Sequence, residues 1–181
     1  ERPEERRFGD TATESATDSF TYTVSDGQGG TDTATVTITV NGVNDAPDAK
    51  DDTATTSEDV VLTGKNVITD AGAGQDSDVD TADVLKVSQV NGVAGNVATP
   101  TAGSAGGLFT IKGDGSYTFN PNGEFENLAV GETAITSVTY TLNDGKGGTD
   151  TATVTITVTG VNDAPDAKND AETTKLSLIH I

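Results

Sequence analysis

The sequence predicts an all-β protein, an antiparallel β-sandwich of about seven strands preceded by a partial copy of itself. Apolar and polar residues alternate with a period of two in several short runs, which is typical of strands that bury one face. Turns rich in glycine and asparagine separate these runs, and no helical pattern alternates with them, which disfavours a parallel α/β sheet. The chain also repeats: Pro47 returns as Pro165, and this period of 118 residues corresponds to a whole domain.

The repeated stretch contains a β-hairpin. Apolar residues alternate with polar ones over 20–24 and again over 33–40, on either side of the Gly-rich turn 26–30. The second strand alternates with threonine, a β-branched residue that suits an exposed strand face. Of the 32 residues from 19 to 50, 27 are identical in the copy at 137–168. Because a lone hairpin is marginal in water, we expect the first copy to dock on another structure or to be poorly ordered.

The chain between the two hairpins supplies the remaining predicted elements. In order, these are an extended segment at 53–63, a short strand or turn at 67–70, an acidic glycine-broken loop at 71–83, a strand at 84–90, a weak edge strand within 94–107, a second hairpin formed by 108–111 and 116–119, and a short helical turn at 125–130. We therefore divide the chain into three parts. These are residues 1–46, a non-native-looking stretch plus the last hairpin of a preceding repeat; residues 47–165, a complete repeat; and residues 166–181, the start of a next repeat and a tail.

Both ends of the chain differ from the repeat. The three arginines, Arg2, Arg6 and Arg7, lie in the first seven residues, and the copy stops after Thr174. The tail 175–181 resembles a translated cloning or sequencing adapter, although a divergent linker is the alternative. The only histidine, His180, falls in this tail, so it is not a catalytic candidate. The chain has no methionine, and we expect it to be an interior piece of a longer protein.

The composition excludes several classes of partner. A net charge of −19 and a pI near 4.1 argue against binding to nucleic acid or to anionic membrane surfaces. No apolar run approaches the roughly 20 residues that a membrane helix needs, so we expect no membrane insertion. Cysteine is absent. A secreted domain of this size must then be stabilised by packing or by metal ions rather than by disulfides.

Acidic and amide side chains are concentrated in two places. One is the pair Asn44-Asp45 after the first hairpin, with its copy Asn162-Asp163, and the other is the loop 76–83. Crowded oxygens without basic partners are what Ca²⁺ requires, six to eight oxygens at about 2.3–2.6 Å. The loop is not an EF-hand, because Thr81 and Val87 stand where that motif has Gly and Glu. The alternative is that these aspartates are solvated turn residues of an acidic surface.

Topology predicts that Asn44 and Asp45 lie at the same pole as the turn at Asp144. Strand ends alternate between the two poles of a sandwich, so the last strand of one module delivers Asn44 and Asp45 to the pole where the next module begins. The turn of that next module's last hairpin, at Asp144, points back to the same pole. If the loop 76–83 also lies there, side chains from both modules converge on one junction.

Several of these segments together resemble a known family. The end of the module resembles the end of a cadherin repeat, and the whole is similar to the VCBS / cadherin-like repeats of giant bacterial surface and type I-secreted RTX adhesins. The resemblance covers about residues 14–174 and implies an Ig-like/cadherin-like sandwich. It rests on the opening Asp51-Asp52 with Thr55–Asp59, the loop Asp78-Val-Asp80, the run Gly115–Pro121, the turn Asp144-Gly145, the strand Val154–Val158 and the linker Val161–Pro165.

The resemblance also implies a set of calcium ligands. At the junction with the preceding module these are Asn44, Asp45, Asp78, Asp80 and Asp144, and at the junction with the next module they are Glu58, Asn162 and Asp163. The sequence departs from the cadherin pattern in two ways. The linker lacks the second asparagine of the cadherin motif, and the cadherin leucine-aspartate-arginine-glutamate segment has no match. Some calcium sites are therefore expected to be missing or to be completed by water.

Three classes of function compete. The favoured interpretation is a structural module, in which Ca²⁺ between adjacent repeats stiffens an extracellular stalk on a bacterial surface and supports cell adhesion and biofilm formation. The alternative is a module that binds glycans or another copy, although the three tyrosines, Tyr22, Tyr117 and Tyr140, all lie at core-like positions. In the favoured interpretation the partners are adjacent repeats of the same chain, and contacts with cell-surface glycans or matrix are made through other domains. An enzyme is disfavoured, because near-identical repetition suits spacing better than catalysis and no nucleophile or base stands out.

Overall fold

The computed structural model describes residues 15–70, 74–165, 167–171 and 173, and shows ten β-strands there. Their bounds are β1 Ser15–Ser25, β2 Thr31–Asn41, β3 Asp52–Ser57, β4 Leu62–Asn66, β5 Lys86–Val90, β6 Thr101–Ala102, β7 Leu108–Ile111, β8 Ser116–Asn120, β9 Thr133–Asn143 and β10 Thr149–Thr159. A single turn of 3₁₀ helix at Ala94–Asn96 is the one helical element in these residues. Among the described residues, no helix is both long and apolar enough to cross a membrane.

Strands β3–β10 form a sandwich of two four-stranded sheets. One sheet has the order β3-β10-β9-β5, and the other has the order β4-β8-β7-β6. All neighbours are antiparallel except β3 and β10, which run parallel from the pair Asp52–Val154 to the pair Ser57–Thr159. The predicted all-β, Ig-like/cadherin-like sandwich is therefore confirmed. It holds one strand more than the seven expected, because the extended segment predicted at 53–63 is divided into β3 and β4.

The core lies between the two sheets and follows the period-two pattern. Along β10, Val154, Ile156 and Val158 are fully buried, whereas the threonines between them are half-buried on the outer face. The opposing sheet contributes Phe109 and Phe119, whose rings pack with their centroids 4.7 Å apart. Close, tilted packing of aromatic rings adds about 0.5–1.5 kcal/mol beyond the area that they bury.

Two predicted elements differ from the structure. The extended segment 53–63 is two strands in different sheets, because the chain turns at Glu58 and Asp59, where Val60 N donates to Ser57 O at 3.1 Å. The strand predicted at 84–90 begins at Lys86 instead, and Val84 is exposed. The segment 67–70 is a turn, in which the Asn66 side chain accepts hydrogen bonds from the amides of residues 68 and 69.

The first hairpin, β1–β2, forms a separate two-stranded sheet. Its register matches that of β9–β10 residue for residue: Ser15 pairs with Asn41 as Thr133 pairs with Thr159. The same alternation in the sequence produces the same local structure in both copies. In the first copy, however, both faces of the hairpin are exposed to solvent along nearly their whole length.

The parallel pairing of β3 with β10 defines the two poles of the sandwich. The linker that enters β3 and the turn between β9 and β10 lie at one end, which we call the entry pole. The end of β3 and the end of β10 lie together at the other end, the exit pole, where Glu58 N donates to Thr159 O at 3.1 Å. The calcium ligands that the resemblance implies form two sets, one for each of these poles.

Candidate metal site

Backbone pairing fixes the acidic loop to the linker at the entry pole. Asp48 and Ser77 exchange two backbone hydrogen bonds, of 2.8 and 3.2 Å. The Asp76 carboxylate accepts a bond from Lys50 N at 2.7 Å, and the hydroxyl of the core residue Tyr140 lies 3.0 Å from the same carboxylate and 2.9 Å from Lys50 O. The loop that follows Asp76 is therefore anchored on the sandwich core before it reaches the predicted ligands.

Asn44 and Asp144 join the linker to the turn between β9 and β10. The Asn44 side-chain amide donates to Asp144 Oδ2 at 2.7 Å. Asp144 also accepts backbone bonds of 2.7–3.0 Å from Lys146, Gly147 and Gly148, so its carboxylate organises the turn. The hydrogen bond from Asn44 lowers the pKa of Asp144 below its ordinary value, and the backbone amides lower it further. Asp144 is therefore a fixed, ionised carboxylate at neutral pH.

Asp80 and Asp78 bring the loop into the same place. Asp80 is fully buried, and its Oδ2 accepts a hydrogen bond from Asp45 N at 3.0 Å. This bond connects the loop to the backbone of the linker. Asp78 Oδ1 in turn accepts a bond from Asp80 N at 2.9 Å. The Asp45 side chain itself is exposed, and its contribution to this arrangement is made through the backbone.

Asp83 is a further member of this cluster that the predicted ligand set omits. An oxygen of Asp78, one of Asp83 and one of Asp144 all lie within 4.8 Å of one another, although Asp78 and Asp144 come from distant parts of the chain. Two oxygens that both lie about 2.4 Å from one Ca²⁺ can be at most about 4.8 Å apart, so the spacing suits a shared ion. Lys146 forms an ion pair with Asp83 Oδ1. We call these residues, Asn44, Asp45, Asp78, Asp80, Asp83 and Asp144, the entry cluster.

The entry cluster contains buried oxygens that no donor satisfies. Across the described residues, none donates a hydrogen bond to Asn44 Oδ1, Asp78 Oδ2, Asp80 Oδ1 or Asp83 Oδ2, and each of these atoms is buried. Burying a charged or polar oxygen without a partner costs several kcal/mol in a protein interior. Carboxylate and amide oxygens are the preferred ligands of a hard cation, which would be a suitable partner for these atoms. The residues present at the entry pole therefore fit a calcium ion.

A second acidic cluster lies at the exit pole. Glu58 is buried, its Oε1 accepts a bond from Val161 N at 2.7 Å, and its Oε2 has no hydrogen-bond donor among the described residues. Next to it, Asp59, Glu126 and Asp163 bring one carboxylate oxygen each within 4.8 Å of the others, and all three are exposed. Partial desolvation, followed by the charges of Asp163 and Asp59, raises the pKa of Glu126. This set, Glu58, Asp59, Glu126 and Asp163, is the exit cluster.

The structure brings together most of the residues that the sequence predicts, but in different ways. Asn44, Asp78, Asp80 and Asp144 point their side chains into the entry cluster, whereas Asp45 takes part through its backbone. At the exit pole Glu58 and Asp163 lie in one cluster. Asn162 is exposed and donates to Asp163 O at 3.2 Å, as Asn44 does to Asp45 O at 2.8 Å.

Three acidic residues of these clusters are missing from the predicted ligand set. Asp83 belongs to the same acidic loop as Asp78 and Asp80, and its place three residues after Asp80 is a signal that the sequence contains. Asp59 follows Glu58 directly. Glu126 has no such signal, because only the packing of the turn after Phe125 against the exit pole brings it near Asp163.

Comparison with known families identifies the class of protein to which this geometry belongs. The family model described as bacterial cadherin-like domain matches residues 44–160, which include the linker and all of β3–β10. The chain therefore belongs to the bacterial cadherin-like domain family. A second family model, bacterial Ig domain, matches residues 7–39, which include β1 and most of β2.

Individual proteins with related chains include one bacterial relative. The calcium-binding lectin RapA2 of Rhizobium johnstonii (strain DSM 114642 / LMG 32736 / 3841) is 32% identical over 157 residues, which is 82% of this chain. The chain spans 62% of that protein's length. Among solved structures, the protocadherin gammaB7 EC3-6 cis-dimer aligns with 81% of this chain and 32% of its own, at a TM-score of 0.43 and 13% sequence identity.

Proposed function

We propose that this chain is a calcium-binding structural module of a large bacterial adhesin. Its calcium ions bind where one repeat joins the next and stiffen a row of sandwiches into a stalk. The observation that carries the proposal is the entry cluster. There, buried oxygens without donors come from two separate segments, the linker and the acidic loop, and an Asp144 oxygen of the β9–β10 turn lies within 4.8 Å of oxygens of Asp78 and Asp83. A cation at that point holds the linker against the sandwich that follows it.

The division of the chain into repeats is part of this proposal. We infer that β1–β2 is the last hairpin of one module, that residues 47–165 form a complete module, and that the residues after 165 begin another. The exit cluster then contains the residues that the complete module contributes to its junction with the next module. Asn162 and Asp163 occupy the positions there that Asn44 and Asp45 occupy at the entry pole.

Charge explains why such a stalk depends on cations. With a net charge of −19, neighbouring modules repel one another, and the linker between them is flexible without a counter-ion. A Ca²⁺ site at about 100 times its dissociation constant adds roughly 2.7 kcal/mol to the stability of the folded state. That is a large share of the 5–15 kcal/mol by which domains are usually stable.

The proposed setting is the outer surface of a bacterium. The combined motifs resemble those of VCBS repeats in RTX-type adhesins, and this resemblance implies type I secretion, adjacent repeats as partners, and a role in adhesion and biofilm formation. Support comes from membership of the bacterial cadherin-like family and from a relative whose name includes calcium binding. The proposed role is not catalytic. The module binds calcium and acts as a spacer between other parts of the protein.

Calcium titration of the whole chain tests the proposal. Isothermal calorimetry should show binding, and the melting temperature should rise by several degrees between EDTA and saturating Ca²⁺. The double variant Asp78→Asn/Asp80→Asn should lose most of both effects, because it removes two ligand charges while keeping the side-chain shapes. The matched control is Asp18→Asn/Asp32→Asn, which removes the same charge from the exposed hairpin and should behave as the parent does. Equal melting of the parent in EDTA and in Ca²⁺ contradicts the proposal.

A second candidate function is glycan binding, which one observation favours. The relative RapA2 is named a lectin. In this chain Tyr117 and Tyr140 are buried in the core and are not free to stack on a sugar, whereas Tyr22 on β1 is 47% exposed. A glycan array with the calcium-loaded chain distinguishes the two roles, since a spacer gives no saccharide signal above that of the Asp78→Asn/Asp80→Asn variant.

A further inference from the structure

The turn between β9 and β10 carries a lysine that reaches into the entry cluster. Lys146 Nζ forms an ion pair with Asp83 Oδ1, and Asp83 is one of the three carboxylates that have oxygens within 4.8 Å of one another. The Asp83 side chain is 1% exposed, whereas the Lys146 side chain is 36% exposed. The ammonium thus meets a buried carboxylate from the solvent side, and it can leave this carboxylate without any change in the core.

Three carboxylates of the entry cluster act on the charge of Lys146. The ion pair with Asp83 raises the pKa of Lys146, and the negative charges of Asp80 and Asp144 raise it further. The ammonium is therefore a full positive charge at neutral pH, and it lies in the field of these carboxylates. All three belong to the cluster that the proposed function assigns to calcium.

An ammonium can replace a divalent ion only in part at this place. It donates at most three hydrogen bonds, whereas Ca²⁺ takes about six to eight oxygens. Accordingly, the ion pair leaves other buried oxygens of the entry cluster without a donor among the described residues. These oxygens are Asn44 Oδ1, Asp78 Oδ2, Asp80 Oδ1 and Asp83 Oδ2. Lys146 thus neutralises part of the buried charge and leaves the other oxygens available to an ion.

The first copy of the turn has no charge at this position. Gln28 stands in the first hairpin where Lys146 stands in the second. Between residues 19–50 and their copy at 137–168 five positions differ, and this exchange is the only one of the five that changes the charge. In both copies an aspartate closes the turn by accepting hydrogen bonds from the amides two and four residues later. Glutamine therefore fits a turn of this kind.

We propose that Lys146 is a tethered cation that competes with Ca²⁺ for the entry cluster and sets the calcium affinity of the site. The inference rests on the proposed function, because it takes the entry cluster as a calcium site. Without calcium the ammonium pairs with Asp83 and stabilises the fold. When the ion binds, it repels the ammonium, which moves toward solvent and releases Asp83 Oδ1 as a ligand.

The exchange between the two copies then has a consequence for a row of modules. A turn with glutamine contributes no competing charge, so its site binds calcium more tightly than a site whose turn carries lysine. This single position would set the calcium concentration at which each junction becomes rigid.

Calorimetric titration of the full chain with CaCl₂ at low ionic strength tests the proposal. Lys146→Gln should lower the calcium dissociation constant at least about fivefold, because the ion no longer displaces a positive charge. Lys146→Arg keeps the charge and should bind calcium about as weakly as the parent does. The matched control is Lys86→Gln. Lys86 lines the same hollow as Asp83 and Lys146 and is exposed, so water screens its charge and its removal should change the constant less than about twofold.

Thermal unfolding separates competition from a purely structural role of the ion pair. In EDTA Lys146→Gln should melt below the parent, because Asp83 then stays buried without a cation. In saturating Ca²⁺ it should melt at or above the parent, because the ion takes the place of the ammonium. An ion pair that is only structural lowers the melting temperature of Lys146→Gln in both solutions, and this result would overturn the inference.

Amine labelling follows Lys146 directly in the parent chain. Acetylation by a succinimidyl ester, read by mass spectrometry, should modify Lys146 faster in Ca²⁺ than in EDTA, because the released amine is more exposed. Lys86 should react equally in both solutions. Equal labelling of Lys146 in the two solutions overturns the inference alone, and so does a Lys146→Gln variant that binds calcium no more tightly than a calcium-binding parent. If neither the parent nor Lys146→Gln binds Ca²⁺, the proposed function fails and this inference fails with it.

Discussion

Asp52 is a carboxylate that the fold buries without giving it a strong partner. It is the first residue of β3, and its Oδ2 lies 3.5 Å from the Tyr140 hydroxyl, beyond good hydrogen-bonding distance. Burial, followed by the negative charges of Asp76 and Asp70, raises the pKa of Asp52 to about 7. The residue thus differs from Asp144, whose pKa is lowered by the hydrogen bonds that it accepts.

The raised pKa predicts how stability varies with pH. In the unfolded chain an aspartate ionises near pH 3.9, whereas Asp52 in the fold holds its proton up to about pH 7. The folded state binds the extra proton in this window, so the free energy of unfolding should fall as the pH rises from about 4 through 7. Asp52→Asn should be more stable than the parent at pH 8 in EDTA and should lose less stability between pH 5 and pH 8.

Urea denaturation of both proteins at pH 5 and pH 8 measures this difference. The control is Asp114→Asn, at an exposed aspartate whose pKa is lowered by the Ser116 hydroxyl and amide, and this variant should not gain stability at pH 8. If Asp52→Asn and the parent lose equal stability between the two pH values, then Asp52 does not carry a proton in the folded state at pH 5.

The linker and the β9–β10 turn approach each other closely at Gly148. A Cβ atom at this position would meet Asp144 Oδ2, and would lie 2.9 Å from Ala46 Cα and 3.0 Å from Asp45 O. Backbone atoms cannot move aside as a flexible side chain can. Glycine at 148 is therefore required for the linker to lie against the turn and for the entry cluster to assemble.

Gly148→Ala should separate the linker from the turn. We expect calcium affinity to fall at least about tenfold, equivalent to about 1.4 kcal/mol, because Asn44 and Asp144 no longer meet. Gly95→Ala is the matched control, since the space around Gly95 is open. Calorimetric titration of both variants measures the change. Unaltered calcium affinity in Gly148→Ala would show that the ion does not need the linker.

The elements differ in how far the sequence determines them. The hairpins are predictable in position and register, because strict alternation around a Gly-rich turn leaves one arrangement with an apolar face. The break between β3 and β4 is not predictable in this way. Apolar residues continue through Val60 and Val61, yet both are exposed, and the chain turns at Glu58 because that carboxylate accepts Val161 N across the exit pole. A contact between residues 103 positions apart overrides the local pattern.

The same distinction applies to the candidate site. The position of Asp144 is predictable from topology, because strand ends and turns alternate between poles. The ligand roles of Asp78 and Asp80 follow from the resemblance, and topology leaves the position of their loop open. Glu126 depends instead on how the turn after Phe125 packs, and no motif in its neighbourhood marks it. Asp45 takes part through its backbone amide, and its side chain is exposed. This depends on the geometry of the linker, which composition does not predict.

At the scale of the whole molecule, calcium should determine how freely the hairpin β1–β2 moves relative to the sandwich. Residues 42–47, between β2 and the anchored Asp48, contain no regular secondary structure. The entry cluster holds this segment against the sandwich. Ion binding there should therefore make the connection between β1–β2 and the sandwich rigid. Screening by salt acts differently, because it weakens repulsion without supplying ligands to the buried oxygens.

Distance measurement between spin labels on the two parts tests this prediction. Cysteines at Thr37 on β2 and Thr133 on β9 are exposed attachment points, and the chain has no cysteine of its own. We expect a broad distance distribution in EDTA, a narrow one in Ca²⁺, and a broad one in NaCl of the same ionic strength, because only the divalent ion bridges linker, loop and turn. The same labels on Asp78→Asn/Asp80→Asn should report a broad distribution in all three solutions. A distribution that narrows equally in NaCl would mean that charge screening alone stiffens the joint, and a stalk of these modules would then need no calcium at this junction.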